Sequence, residues 1–166
     1  HGDVIWVYSL PSTNCTPFGC AGHDQPSIDV DSSGNVYAIY HEQGLARLIK
    51  LDPSGVPLFQ QSVQASNVPT LTDGHVAVDS MDRVIVAGTV DSQLYPRAAV
   101  LQYDGAGGLI WSDQSSRFEQ ITGLQVGPGD MVVTYGRSDY PFSFHVGTIS
   151  AFDSDGSPRW RSGLSS

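Results

Sequence analysis

One short word is written four times along this chain. HGDVIW ends at Trp6, DPSGVPLF at Phe59, DGAGGLIW at Trp111 and DSDGSPRW at Trp160. A glycine stands four residues before each aromatic, at Gly2, Gly55, Gly107 and Gly156, and the aromatics are spaced by 53, 52 and 49 residues. A fixed period of this size constrains the fold more than any composition can, because each unit must be one repeated supersecondary block. The rest of the unit recurs as well. SIDVDSSGNVYAIY (27–40), HVAVDSMDRVIVAG (75–88) and LQVGPGDMVVTYG (124–136) share one pattern: an alternating apolar stretch, a Gly/Asp turn, then a β-branched stretch. LARLIKLD (45–52), RAAVLQYD (97–104) and HVGTISAFD (145–153) follow, each running into the next copy of the word.

The periodicity is two throughout and every boundary carries turn chemistry, so each unit reads as a meander of four short strands. No segment has helical spacing. One four-stranded sheet cannot bury both faces, and stacking sheets face to face does so, with the large aromatic of the last strand filling space between neighbours. The expected fold class is therefore all-β: a β-propeller-type array of about three four-stranded antiparallel blades, at 24–64, 71–114 and 121–164. Residues 1–10 read as an orphan outer strand, with Val4, Trp6, Tyr8 and Leu10 on one side and Ile5, Val7 and Ser9 on the other, and 11–23 as a cysteine-containing loop. Propellers usually have four to eight blades. The expected partners are thus other blades of the same parent chain or a second copy in a homo-oligomer.

VDSSGNVYAIY followed by LIKLDPSGVPLF resembles the β-propeller repeats of secreted and surface bacterial proteins, and is similar to quinoprotein-like and NHL-like repeats. The resemblance covers nearly the whole chain. It implies the fold and a secreted or cell-surface setting, but such repeats host many functions.

Composition narrows the function classes. The chain is 166 residues long with a net charge of −9 and a single lysine, Lys50. Such an acidic chain repels phosphate backbones, so no nucleic-acid partner is expected. No apolar run approaches the roughly 18 residues of a spanning helix, so no membrane insertion is expected either. Cys15 and Cys20, in NCTPFGC, read as a disulfide, which belongs to an oxidising compartment. Asn14-Cys15-Thr16 is an N-glycosylation sequon.

In a meander the turns divide between two edges. One edge carries only tight turns: DSSG, DPSG, DSMD, GAGG, GPGD and SDG. The other carries longer segments, including 10–25, HEQG (41–44), 64–74, DSQLYP (91–96), SSRFEQ (115–120) and RSDYPFSF (137–144). Binding groups concentrate on variable loops held by a rigid scaffold. His41, Glu42, Asp91, Tyr95, Arg137, Asp139 and Tyr140 fall in equivalent loops and form the candidate ligand-binding set, for a protein or glycan ligand. Asp29, Asp31 and Ser33 resemble the start of a calcium loop, but Tyr40 stands where that loop needs Glu, and Asp–Gly turns recur for conformational reasons. Cys15, Cys20 and His23 lack an evident fourth zinc ligand. No metal site, cofactor or catalytic residue is expected. The reading is an extracellular, non-catalytic module for binding or structural assembly; the alternative is part of a propeller enzyme, a quinoprotein-like dehydrogenase or a glycan-cleaving enzyme.

Overall fold

The computed structural model describes residues 4–10, 26–42, 45–64, 71–90, 97–139 and 145–164. Among them are eleven strands: β1 (Ser27–Val30), β2 (Val36–Glu42), β3 (Leu45–Leu51), β4 (Pro57–Ser62), β5 (Leu71–Val78), β6 (Val84–Val90), β7 (Arg97–Tyr103), β8 (Leu109–Val126), β9 (Val132–Asp139), β10 (His145–Phe152) and β11 (Pro158–Leu164). They form three four-stranded antiparallel sheets, each a meander. The first is β1-β2-β3-β4. The second is β5-β6-β7 with the first part of β8, and the third is the last part of β8 with β9-β10-β11. A 3-10 turn at Pro128–Asp130 is the one helical piece among the described residues. None of their helices is long and apolar enough to cross a membrane.

Two expectations need correction. Residues 115–120 are not a loop: β8 runs through them without a break, pairing Phe118 with Arg97 in the second sheet and Glu119 with Ser138 in the third. The segment is polar, but it contains no Gly or Pro, and polarity alone does not turn a chain. Residues 4–10 carry no ladder pairing, so the expected outer strand is here an extended strap. Trp6, Tyr8 and Leu10 lie on the first sheet against Ala38, Tyr40, Ile49 and Leu51. The cover starts at Trp6: Val4, on the same side, is exposed, and so are Ile5 and Val7 on the other.

The recurring turns are explained by their aspartates. The Asp31 carboxylate accepts the N–H groups of Ser33 (3.0 Å) and Asn35 (2.8 Å). Asp79 does the same for Met81 and Arg83, Asp52 for Ser54 and Val56, and Asp104 for Ala106 and Gly108. Each carboxylate thus satisfies two N–H groups that the tight turn leaves without ladder partners. Asp31 also accepts both bonds of the Asn35 amide and sits 3.2 Å from the Lys50 ammonium. Its oxygens are taken up by the turn, so its likeness to a calcium loop is conformational.

Residues two before the next turn complete this arrangement, and they change together with it. Lys50 meets Asp31, and Gln102 reaches Asp79 at 3.3 Å. In the third sheet Gly127 replaces the aspartate and Ala151 replaces its partner, so neither leaves a buried polar group behind.

The sheets stack in order. One core lies between the first and second, built around Tyr37, Leu48, Leu71, Val86 and Leu101. A second lies between the second and third, with Ile85, Val100, Val132 and Phe152. The middle sheet is therefore covered on both faces, and every residue of β6 is buried. Contacts between sheets are concentrated on first strands: β5 touches β1 on one side and β8 on the other.

Two devices, one polar and one aromatic, fix the stacking. Ser32 donates its backbone N–H (2.8 Å) and hydroxyl (2.7 Å) to Asp82 of the next sheet. Ser80 does the same to Asp130, at 3.0 and 2.9 Å. Both aspartates hold φ near +60°, at 59° and 58°, a conformation Asp tolerates better than most residues. The second device is the aromatic of the opening word. Trp111 lies on the hairpin of the third sheet, so close that a Cβ on Gly156 would stand 2.6 Å from its ring; Trp6 lies on Gly55 of the first sheet in the same way, also at 2.6 Å. Phe59 differs. It packs edge-on against Tyr37, at 6.3 Å between centroids, and Gln61 takes the place over Gly107. Trp160 is half exposed.

Candidate functional site

A cleft of about 480 Å3 opens where the sheets converge. β5 supplies Asp73, Gly74 and His75, β8 supplies Gln120, Ile121 and Thr122, and β2 and β9 supply Ile39, His41 and Arg137. All three sheets contribute. Ile39 and Ile121 add apolar surface among polar groups, the usual make-up of a small-ligand site. The sequence fits this geometry locally. Gly74 has no side chain, and Ile39 of the first sheet fills the place its Cβ would take, which draws β2 against β5.

The polar groups are held by neighbours. His41 Nε2 donates to the Leu71 carbonyl at 2.9 Å, which fixes the ring across the first two sheets. The Gln120 amide points to the Asp73 carboxylate at 3.5 Å, a long contact that ties the second sheet to the third. Beside it the buried Ile121 N–H donates to the Thr89 hydroxyl at 3.1 Å. Burial pushes His75 below the ordinary histidine range, only partly opposed by the Asp73 charge, so its ring is neutral at pH 7. With His75 neutral, the Asp73 carboxylate and Arg137 guanidinium bring one charge of each sign to the cleft.

Of the expected binding residues, the structure brings His41 and Arg137 to this one cleft. Glu42 is turned elsewhere: it pairs with Arg47 at 3.1 Å, and Arg47 is itself anchored on the Ser62 hydroxyl at 2.6 Å. Asp139 ends β9 opposite His145, and only its backbone is described. Asp91, Tyr95 and Tyr140 lie outside the described residues, as do Asn14, Cys15 and Cys20. Loop-centred reasoning missed Asp73, His75, Gln120 and Thr122, which stand on first strands rather than on loops. A signal was available in TDGHVAV, where two ionisable residues flank a glycine at the head of an otherwise apolar strand.

No protein-family model matches the chain, and neither does any curated protein. Among solved structures, one described as the crystal structure of the eukaryotic initiation factor aligns with a TM-score of 0.56 and 11% identity, over 87% of this chain and 33% of that one. The chain thus spans about a third of that structure's length, and at this identity the likeness is one of fold.

Proposed function

We propose that the chain is a β-propeller-type module that works by binding, outside the cell, with the cleft at the convergence of the three sheets as its recognition site. The reading is carried by one observation: His41, Asp73, His75, Gln120 and Arg137 come from three successive repeats and line a single cleft. Convergence on first strands, repeated four-stranded meanders and stacking at a constant period support a radial arrangement, in which sheets fan out from a common axis. The groups in the cleft include carboxylate and imidazole acceptors alongside amide, hydroxyl and guanidinium donors. That mixture suits an uncharged ligand rich in hydroxyls, and a glycan meets the description.

Saturation-transfer NMR with cellobiose, maltose and chitobiose tests the site. At least one is expected to bind, and His75→Ala and Asp73→Asn to abolish the transfer while the fold is retained. Absence of transfer with all three sugars, or binding unaffected by both substitutions, refutes the assignment. The extracellular setting rests on the expected Cys15–Cys20 disulfide. Mass spectrometry after alkylation without reduction should find both thiols protected, and labelling of both in the folded protein would remove that support.

A further inference from the structure

We propose that the open face of the third sheet docks onto the first sheet of a second copy of this chain, and that the strap 4–10 covers that docking site in the single chain. This rests on the radial stacking proposed above, but not on ligand binding in the cleft.

The two surfaces are apolar. On the third sheet, Val133, Tyr135, Ile149 and Trp160 share the side turned away from the second sheet, and Tyr135 and Trp160 are 48% and 46% exposed. On the first sheet, Ile28 and Val30 share the far side with the residues under the strap, and Ile28 is 64% exposed. Exposed apolar faces of this kind mark association sites.

The third-to-first junction also matches in what it lacks. Each internal junction uses a serine N–H and hydroxyl on one sheet and an aspartate on the next. The third sheet has Pro128 at the serine position, which has no N–H to offer, and the first sheet has Gly34 at the aspartate position. Both halves of the clasp are absent together, so joining these faces leaves no donor or carboxylate without its partner. Ala151, at the place of Lys50 and Gln102, likewise reaches for nothing across the junction.

The strap identifies what sits on the first sheet. Trp6 occupies the Gly55 hairpin as Trp111 occupies the Gly156 hairpin, and donates its indole N–H to the Pro53 carbonyl at 2.9 Å. Its sequence, Trp6-x-x-x-Leu10, is repeated in β11 as Trp160-x-x-x-Leu164 and in neither β4 nor β8. The strap therefore carries the sequence anchors of β11 onto the place β11 of a second copy would take. It is lightly held: it has no ladder bonds, and Ile5 and Val7 are 88% and 80% exposed. Two such contacts, related by a two-fold axis, close a ring of six sheets, within the range for propellers.

The test is sedimentation equilibrium of the 166-residue chain over a wide concentration range, with folding checked by circular dichroism. The chain is expected to dimerise reversibly. Trp160→Ala should weaken the dimer by about thirtyfold, the loss typical of a central tryptophan at an interface. Trp6→Ala should strengthen it, because the competing strap loses its anchor. A monomer at the solubility limit for both wild type and Trp6→Ala overturns the proposal. So does a dimer that Trp160→Ala does not weaken, or one that Trp6→Ala weakens. Sugar binding in the cleft is read separately, so loss of one result leaves the other standing.

Discussion

At the scale of single residues, the four aromatics of the repeated word are not equal, and the difference follows from what lies beyond each. Trp111 packs between the second and third sheets, 6.1 Å from the Phe152 ring. Trp111→Ala should cost about 3 kcal/mol or more, as for a buried aromatic, read as a shift in the urea midpoint. Trp160→Ala should cost under about 1 kcal/mol under conditions where the chain is monomeric, because the ring is half exposed. Glycines on the turns separate in the same way. Gly34 and Gly156 both hold positive φ, at 80° and 86°, but only Gly156 lies under an indole. Gly34→Ala should cost about 1 kcal/mol for the left-handed backbone alone, and Gly156→Ala distinctly more. Acid sensitivity divides into two windows. Burial holds His75 low, so the native state binds fewer protons than the unfolded chain, and stability should begin to fall as pH drops below about 6.5. Hydrogen bonds from the Ser80 N–H and hydroxyl hold Asp130 below the carboxylate range; at Asp31 burial acts upward, but bonds from Asn35 and Lys50 outweigh it. Their contributions are complete above about pH 3.8 and are lost as pH falls through the lower native values. Stability measured from pH 8 to 2 should show both limbs, and His75→Gln should remove only the upper one. The turn aspartates were legible from sequence because their effect is local. The pairing of His41 with Leu71 was not, since it joins residues thirty apart across two sheets.

At the scale of elements, short-range alternation identified the strands that begin or end in Gly/Asp turns, and failed where the chain crosses between sheets. β8 is the clearest case. Its Ser-Ser-Arg centre reads as a loop in isolation, and it becomes strand because β7 and β9 offer ladders on either side of it. The strap shows the reverse. Val4 to Leu10 alternates as well as any strand here, but no ladder partner lies beside it among the described residues. Alternation records which side chains can be buried, whereas a strand also requires an adjacent backbone. The junction inside β8 depends on one side chain of β6, because the Ile121 N–H is satisfied by the Thr89 hydroxyl. Thr89→Val keeps the shape and removes the acceptor. It should destabilise the protein by about 1–3 kcal/mol, the cost of a buried N–H without a partner. Calorimetry on the variant checks this, and an unchanged melting temperature would show that the bond contributes nothing.

At the scale of the whole molecule, burial is graded from the middle sheet outwards. The second sheet has a core on each face, the first has a core and a strap, and the third has a core and open solvent. Amide exchange followed by mass spectrometry should therefore be slowest in β6 and β7 and fastest in β11 and the strap; uniform protection across the three sheets would contradict this ordering. The number of sheets and their meander order were legible from the repeat. The cleft was only partly so, because it is assembled from first strands that the sequence keeps about fifty residues apart, and only stacking brings them together. The uninterrupted β8 has a mechanical consequence. It is at once the last strand of one sheet and the first of the next, so tension applied along the chain cannot strip it from the second sheet without disturbing its ladder in the third. Among the described residues the first sheet shares no strand with its neighbour. Under a stretching force it should yield as a separate step, and the other two should rupture together as a single larger extension.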